Sequence, residues 1–287
     1  MPTIEIDGRT YELVERHRPR DENDSRIYKG FNTFVRIGPA PVVEANLTAH
    51  KRLANAGFPV AHILRDGTVG DERFFIEESL GERILRLEFA DEVKAHGEIT
   101  ADSFDSFVGI IRQYLEAQAK LPAPNGSHDF FERMHVARLC DELPELSSAI
   151  EEKAEQHFKA ISAFPFVVSH GDLSPNNMLS KGVIDLEDSL SAPFGYDAVS
   201  ALTTCEWFPE DVEFEFPITP YHFTQSQRAQ YLSMCDEVAT GNNLPSVSAN
   251  LDHLDFFRAV WLTEGMAEWP KTKRYRHERF IREYLRP

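Results

Sequence analysis

Over the first 80 residues, hydrophobic and polar positions alternate in short runs, which is the pattern of β-strands with one buried face. The segment TIEIDGRTYELVE alternates on both sides of Asp7 and Gly8, a pair of residues typical of a tight β-hairpin turn. RIYKG and TFVRIG are two more such runs, and VAHIL and RFFIEES follow further along. The pattern predicts a small sheet of short strands.

One segment in this part of the chain has the helical period instead. In VVEANLTAHKRLANAG, Val43, Leu47 and Ala54 fall near one helical face, with Leu53 beside them. Gly57 follows at once and is a typical residue just beyond the C-terminus of a helix. Strands, a single helix and more strands predict a small α+β lobe that ends near residue 80.

After residue 81 the hydrophobic period is chiefly helical. SFDSFVGIIRQYLEAQAKL places several large side chains on one stripe, namely Phe104, Phe107, Ile111, Tyr114 and Leu115. Less regular helical patterns occur near residues 129–142, 146–163, 224–239 and 250–268. The C-terminal part of the chain is therefore predicted to be larger and mainly helical.

Composition narrows the class of protein. The chain has 287 residues, 42% of them hydrophobic, which is enough for one large core or two unequal ones. No apolar run is long enough to cross a membrane, and the polar N-terminal segment does not resemble a signal peptide. Cys140, Cys205 and Cys235 form no CxxC pair, which predicts reduced thiols in a cytoplasmic protein.

The net charge of −17 argues against nucleic acid as a partner, because phosphate backbones are bound through lysine and arginine. The charge is unevenly distributed. Residues 1–80 carry 11 basic and 13 acidic residues, whereas the remainder carries 19 basic and 34 acidic residues. An acidic C-terminal part attracts cations and repels anions. The alternative is that the acidity only keeps the protein in solution.

The segment FVVSHGDLSPNNMLSKGVIDLED, residues 166–188, interrupts the helical part with two short apolar runs and many polar side chains. Residues 166–168 read as a buried strand that enters a polar loop. Two short strands joined by the turn at 180–182 would follow as a tight hairpin. Such a hairpin would bring Asn177 and Asp185 side by side, with Asp172 close to both.

An amide oxygen and a carboxylate that converge beside a second carboxylate suit Mg²⁺, which binds oxygen and takes its remaining ligands from phosphate and water. Asp172 could then accept a proton from an acceptor hydroxyl, while Asn177 and Asp185 hold the metal that bridges nucleotide phosphates. The alternative is that these residues only cap turns, as Asp, Asn and Ser often do. The spacing as a set favours the functional interpretation.

HGDLSPNNML, followed by VIDLED, resembles the catalytic segment of the aminoglycoside phosphotransferase and choline kinase family, distant relatives of the protein kinases. The resemblance continues in the same order elsewhere. FVRIG, Glu44 and NAGFPVAHIL resemble the family's strand with a basic residue, its helix glutamate and its next strand. FFIEESLGERIL resembles the linker between lobes, and FGYDAVSAL resembles the later segment in which an aspartate opens a helix.

This resemblance implies an α+β, bilobal protein-kinase-like fold. A nucleotide-binding lobe would comprise residues 1–80, and a catalytic and acceptor-binding lobe residues 81–287. ATP would lie in the cleft between them, with its adenine near Glu77 to Ser79.

The resemblance also assigns roles in the catalytic segment. Asp172 would be the catalytic base, and Asn177 and Asp185 would bind Mg²⁺. His170 would pack under the hairpin and hydrogen-bond to the backbone in preference to acting as an acid. Asp197 would brace the catalytic loop from beneath; the alternative is that it only caps the helix that follows it.

In the first lobe, the resemblance implies that Arg36 contacts the nucleotide phosphates and is held by Glu44. The alternative is a surface ion pair between the two, or no pair. Lys29 on the preceding strand is the other candidate cation.

The sequence departs from the family where a glycine-bearing phosphate loop is expected. HRPRDENDSRIYKG has no glycine before Gly30 and carries Asp21, Glu22 and Asp24, although a loop that approaches a triphosphate usually needs glycine. This leaves open another phosphoryl donor or a degenerate nucleotide site.

Gly171 stands where protein kinases have an arginine, which argues against regulation by phosphorylation of an activation loop.

Residues 205–216, CEWFPEDVEFEF, combine acids and aromatics without a basic residue, which suits a cationic alcohol as acceptor. The alternative is a solvated loop in an acidic protein.

The expected activity is ATP- and Mg²⁺-dependent phosphoryl transfer to a small hydroxylated molecule, such as an aminoglycoside or amino-alcohol. A pseudokinase-like binding protein and a metal-dependent hydrolase are the alternatives.

Overall fold

The computed structural model describes residues 2–14, 25–123, 126–186, 189–209, 214–215, 221–264 and 269–286. Its N-terminal part is a six-stranded antiparallel sheet of order β1-β2-β3-β4-β6-β5. The strands are β1 (Thr3–Ile6), β2 (Arg9–Leu13), β3 (Arg26–Gly30), β4 (Thr33–Pro39), β5 (Ile63–Val69) and β6 (Glu72–Glu78). The α+β fold class with a β-rich first lobe is confirmed.

The predicted hairpin at the start of the chain is present. Strands β1 and β2 pair around Asp7 and Gly8, whose φ angles of 55° and 73° are both in the left-handed region. Two consecutive positive φ angles are what a two-residue turn needs to match the twist of its strands.

Helix α1 (Ala40–Ala56) covers one face of the sheet. It buries Val43 and Leu47 against Phe75 of β6, and Gly57 ends it with a φ of 92°. The buried residue in its last turn is Leu53, whereas Ala54, which the sequence pattern placed nearer that face, is exposed.

The remainder of the described chain is mainly helical. Its helices are α2 (Leu85–His96), α3 (Ala101–Gln118), α4 (Gly126–Arg133), α5 (Val136–Glu142), α6 (Ser147–Ile161), α7 (Tyr196–Thr203), α8 (Gln225–Gly241), α9 (Leu251–Thr263) and α10 (Pro270–Phe280). A π-helical turn, Ile281–Leu285, follows α10. The stripe predicted on α3 is fully buried in the main core.

Two helical predictions need correction. The segment near 129–142 is two helices, because the chain turns at His135, whose φ is 52°. Helix α9 ends at Thr263, and residues 265–268 of that prediction lie outside the described residues. Helices α2 and α10 carry weak hydrophobic patterns, and the sequence did not single them out.

Four short strands carry the candidate site between the two parts. Strand β7 (Phe166–Ser169) pairs with β10 (Leu190–Pro193), and β8 (Met178–Leu179) forms a hairpin with β9 (Gly182–Val183). The hairpin is fastened to the first lobe by Lys181 N–H to Leu80 O at 3.0 Å and Val183 N–H to Pro59 O at 2.8 Å. A Cβ at position 182 would lie 2.1 Å from Pro59 O, so only glycine allows this approach.

Among the described residues, no helix is both long and apolar enough to span a membrane. The three cysteines are free thiols. The acids of the predicted phosphate loop, Asp21, Glu22 and Asp24, lie outside the described residues.

Candidate active site

The loop after β7 turns sharply at Gly171, where φ is 84°. Glycine adopts this conformation without steric cost. Both backbone groups of Gly171 are bound from below: its N–H donates to Asp197 Oδ1 at 3.1 Å, and its carbonyl accepts from Arg258 Nη1 at 3.2 Å. The turn therefore has a fixed backbone that leads into Asp172.

His170 is buried, and its backbone N–H and both ring nitrogens have partners within the protein. Its backbone N–H donates to Tyr114 Oη at 2.9 Å and to Asp197 Oδ2 at 3.0 Å. Its Nε2 lies 2.8 Å from Ile184 O, and its Nδ1 accepts the Asp172 N–H at 3.3 Å. These contacts fit the expectation that His170 packs under the hairpin.

Asp197 is fully buried and accepts hydrogen bonds from four groups. The donors are Tyr114 Oη at 2.7 Å, Gln118 Nε2 at 2.9 Å and the backbone N–H groups of His170 and Gly171. The N-cap of α7 is Gly195, with no side-chain capping bond. The geometry is that of a brace under the loop, and the capping alternative has no contact to support it.

The sequence did not identify Tyr114 and Gln118 as parts of the site, because both occupy the buried stripe of α3. Burial, together with the adjacent Asp197 carboxylate, raises the pKa of the Tyr114 hydroxyl well above its ordinary value, so the hydroxyl stays protonated and donates. Gln118 also donates to Val168 O at 3.0 Å, which ties the brace to β7.

The Asp172 side chain is 40% exposed and is contacted from both sides. Its Oδ1 lies 2.5 Å from Arg258 Nη2, and the Arg258 side chain is completely buried. Its Oδ2 lies 3.3 Å from Asn177 Nδ2, which also donates to Asp172 O at 2.7 Å. The carboxylate is thus fixed while part of it stays exposed.

The hairpin brings the other two predicted residues to the same edge. Ile184 N–H donates to Asn177 O at 2.9 Å, which places Asp185 one residue beyond the pair. Asp185 is exposed with a φ of 63°, and within the described part of the chain no hydrogen bond or ion pair engages its side chain. Because Asn177 turns its amide nitrogen to Asp172, its oxygen remains for a metal. An amide and a carboxylate oxygen fit Mg²⁺, which takes few protein ligands.

We call the loop from His170 to Asn177, with Asp185, the lower wall of the expected cleft. We call Arg36 on β4, Glu77 on β6 and His50 on α1 its upper wall. Phe34 pairs with Glu77 and Arg36 with Phe75, so Arg36 and Glu77 share the face of the sheet that α1 covers.

The upper wall differs from expectation in the partner of its arginine. Glu44 pairs with Arg73 Nε at 2.9 Å and is 57% exposed, so it is not the residue that holds Arg36. Arg36 donates to Ser25 Oγ at 3.2 Å. Arg73 lies opposite Gly38, two residues before α1 begins, and from there its side chain reaches Glu44.

Among the described residues, Glu77 is an acid close enough to Arg36 to interact with its charge. Its Oε2 is 3.8 Å from His50 Nδ1, and His50 is held through Nε2 to Ala61 O at 2.5 Å. Burial raises the pKa of Glu77, while His50 and Arg36 act in the opposite direction without cancelling it. The sequence had assigned Glu77 to the adenine site, and the structure adds this contact with the basic residues.

The linker beyond β6 has much of its hydrogen-bonding capacity in use. Glu78 N–H donates to His62 O at 2.9 Å and Ser79 N–H donates to Asn32 O at 3.0 Å. Ser79 Oγ donates to Gly81 O at 2.7 Å.

Lys29, the other candidate cation, is exposed and pairs in register with Phe34, which places it on the same sheet face as Arg36.

Comparison of sequences settles the family. The sequence model of the phosphotransferase enzyme family, APH, matches residues 18–216, which is more than half of the chain and includes Arg36, Asp172, Asn177, Asp185 and Asp197. The chain belongs to this phosphotransferase family. No curated protein matches it.

Several solved structures are similar to this chain. The aminoglycoside phosphotransferase APH(3'')-Id of Streptomyces rimosus is 16% identical, covers 89% of this chain and 93% of its own, and has a TM-score of 0.47. The same enzyme is also known in complex with ADP and streptomycin. A choline/ethanolamine kinase family protein of Mesorhizobium loti is 14% identical over 94% of this chain and 92% of its own, with a TM-score of 0.42. Family membership rests on the sequence match.

In this phosphotransferase-family chain, the acidic segment 205–216 is only partly described. Glu206 forms ion pairs with Arg228 and Arg279, and Glu215 accepts the N–H groups of Lys271 and Thr272 at the start of α10, each at 3.1 Å. These two acids therefore have structural partners. Glu210, Asp211, Glu213 and Phe216 lie outside the described residues.

The residue that sequence reasoning missed most clearly is Arg258, on α9. Nothing in its surroundings marks it, because LDHLDFFRAVWLT reads as an ordinary helix with one basic residue. Its contact with Asp172 joins positions 86 residues apart.

Proposed function

We propose that this protein is an ATP-dependent, Mg²⁺-requiring O-phosphotransferase that acts on a small hydroxylated molecule. The observation that carries the proposal is the lower wall. A partly exposed Asp172 is fixed on both sides, Asn177 lies beside it, and Asp185 follows one residue beyond the backbone pair of Ile184 with Asn177. The family match supports the reaction class.

In the proposed reaction, the acceptor hydroxyl oxygen forms a bond to the γ-phosphorus of ATP. The bond from that phosphorus to the β,γ-bridging oxygen breaks, ADP leaves, and Asp172 takes the hydroxyl proton. Asn177 and Asp185 would hold Mg²⁺, which supplies positive charge to the phosphate oxygens when bound. Arg36, anchored near Glu77, would contact the phosphates, with adenine beside the segment from Glu77 to Ser79.

We propose a cationic amino-alcohol or aminoglycoside as the acceptor class to test first. The support is the charge of residues 81–287, which carry 19 basic and 34 acidic residues and so attract cations. Glu206 and Glu215 add little to this support, because both are already engaged by basic side chains or backbone N–H groups.

A metal-dependent hydrolase is less well supported. No group of three or more His, Cys, Asp or Glu side chains within the described part of the chain could hold a metal ion. An Asn and an Asp beside a proton acceptor suit a metal shared with a nucleotide.

The test combines binding with product detection. We expect ATP to raise the melting temperature only when Mg²⁺ is present, because Mg²⁺ would join the nucleotide phosphates to Asn177 and Asp185. A ³¹P NMR and mass-spectrometric screen across amino-alcohols, aminoglycosides including streptomycin, and sugars should then detect ADP with a phosphorylated product.

Two results would contradict the proposal in different ways. Stabilisation by Mg²⁺ and ATP without product from any acceptor would favour a pseudokinase-like binding protein. No change in melting temperature with any nucleotide at millimolar concentration would remove the nucleotide site itself.

A further inference from the structure

Helix α9 places a completely buried arginine against the candidate catalytic base. Each nitrogen of the Arg258 guanidinium has its own acceptor: Nε donates to Thr204 Oγ1 at 3.0 Å, Nη1 to Gly171 O at 3.2 Å and Nη2 to Asp172 Oδ1 at 2.5 Å. The planar group also lies 4.6 Å from the ring centre of Trp261. A guanidinium held at three acceptors and one ring face has a single orientation.

The Arg258 side chain is charged in this position. Burial alone would lower the pKa of the guanidinium, but the charge of Asp172, with further contributions from Tyr196, outweighs burial and raises that pKa. An ion pair with a buried partner adds little net stability, because both charges lose hydration when the pair forms. We therefore expect the ion pair to act on the orientation and charge of the Asp172 carboxylate.

The contact also distinguishes the two oxygens of the Asp172 carboxylate. Oδ1 is taken by Arg258, and Oδ2 lies 3.3 Å from Asn177 Nδ2. Since Arg258 binds the carbonyl of Gly171 as well, one side chain fixes both the turn and the carboxylate that follows it. Loss of Arg258 would free both at once.

Arg258 lies beyond residue 216, where the family match ends. We propose that Arg258 is a positioning residue for phosphoryl transfer, and that it holds the Asp172 carboxylate in the orientation that receives the acceptor hydroxyl. This inference rests on the proposed function. Arg258 itself touches neither substrate nor metal, because its side chain is inaccessible.

The first experiment measures turnover per folded site. Arg258→Met should lower kcat about 10²-fold, the scale expected when a reacting group is displaced by about 1 Å, with KM for ATP changed by no more than about twofold. Arg258→Lys should recover only part of the rate, because an ammonium keeps the charge but cannot reach three acceptors together.

The matched control is Arg279→Met. Arg279 also lies over a tryptophan, 4.7 Å from the ring centre of Trp207, and pairs with Glu206 and Glu283, but it does not contact the catalytic loop. Its loss should affect stability while kcat per folded site stays at the wild-type value.

A double-mutant cycle separates positioning from simple support of the fold. If Arg258 acts through Asp172, then adding Arg258→Met to the Asp172→Asn variant should lower kcat little further. Multiplicative losses in the double variant, or a wild-type kcat in Arg258→Met, would overturn the inference while leaving the proposed function intact. A wild-type protein without any transfer would overturn the function and this inference with it.

A spectroscopic measurement tests the contact without turnover, including the case in which Arg258→Met does not fold. The side-chain ¹⁵N resonances of Arg258, assigned through their loss in Arg258→Lys, should shift in Asp172→Asn. Unchanged resonances would show that the two side chains do not interact in solution, which would also overturn the inference.

Discussion

The two walls of the expected cleft differ in how extensively hydrogen bonds and packing hold their residues. In the lower wall, Asp197 accepts from four donors and is fully buried, and the N–H and both ring nitrogens of His170 are engaged. In the upper wall, α1 meets the sheet through a cluster of three buried residues, and Glu77 lies 3.8 Å from His50. The difference follows from packing, since several helices surround the loop and one helix covers the sheet.

This contrast suggests how the site divides its work. Phosphoryl transfer depends chiefly on positioning and charge neutralisation. A rigid lower wall would fix the base and the metal ligands relative to the acceptor, while the upper wall could adjust to the phosphates. The comparison predicts large effects from lower-wall substitutions and smaller ones from the upper wall.

The largest effect is expected within the lower wall itself. Asp172→Ala should slow transfer by about 10²–10⁴-fold, the usual scale of lost acid–base help, while binding of ATP with Mg²⁺ stays nearly intact. Asp185→Ala should abolish the Mg²⁺-dependent binding of the nucleotide, because it removes a metal ligand. Calorimetric titration beside a turnover assay checks both. Equal loss of binding in the two variants would show that the roles are wrongly divided.

Removal of the brace should have the next largest effect, and it should affect stability as well as rate. Asp197→Ala leaves buried donors without an acceptor, at about 1–3 kcal/mol for each group, so a loss of at least about 3 kcal/mol is expected. Asp197→Asn has one oxygen where two now accept, and its amide would face donors. We expect it to lose both stability and turnover.

Denaturant unfolding and kcat per folded site test this prediction. Thr203→Val is a useful control, since it removes a buried hydrogen bond to Val199 O within the same helix without touching the brace or the loop above it. An Asp197→Asn variant with wild-type turnover would reduce Asp197 to a residue of the core.

A smaller effect is expected in the upper wall. Glu77→Gln removes an acidic charge that interacts with Arg36 and should raise KM for ATP by about tenfold, which corresponds to the loss of one charge-assisted interaction, with little change in kcat. Glu44→Gln, which only breaks the exposed pair with Arg73, should leave both constants unchanged. The reverse pattern would restore Glu44 as the partner of Arg36.

The smallest effect concerns the pH dependence of stability. Because the pKa of Glu77 is raised in the folded protein, folding favours its protonated form. Its contribution is therefore complete below its unfolded pKa and is lost as pH rises through the folded value. The free energy of unfolding of the wild type should fall relative to Glu77→Gln over that rise. A difference independent of pH would place Glu77 in a solvated site.

The local features of this protein were predictable from its sequence. The turn at Asp7 and Gly8, the end of α1 at Gly57 and the hairpin after Asn177 depend on the backbone preferences of neighbouring residues. The same is true of the separation into a β-rich part and a helical part, because hydrophobic period is a local signal. Asp172, Asn177 and Asp185 were recognisable because one short segment carries all three.

The partners of these residues were decided only by the tertiary structure. Tyr114 reaches His170 across 56 positions, Gln118 reaches Asp197 across 79, and Arg258 reaches Asp172 across 86. On their own helices these side chains are typical core or surface residues, and nothing in the local sequence specifies which loop they will contact. The register of the sheet likewise places Arg73 where its side chain forms an ion pair with Glu44. Sequence periodicity fixes which face of an element is buried, whereas the packing of distant elements chooses the atoms that meet there.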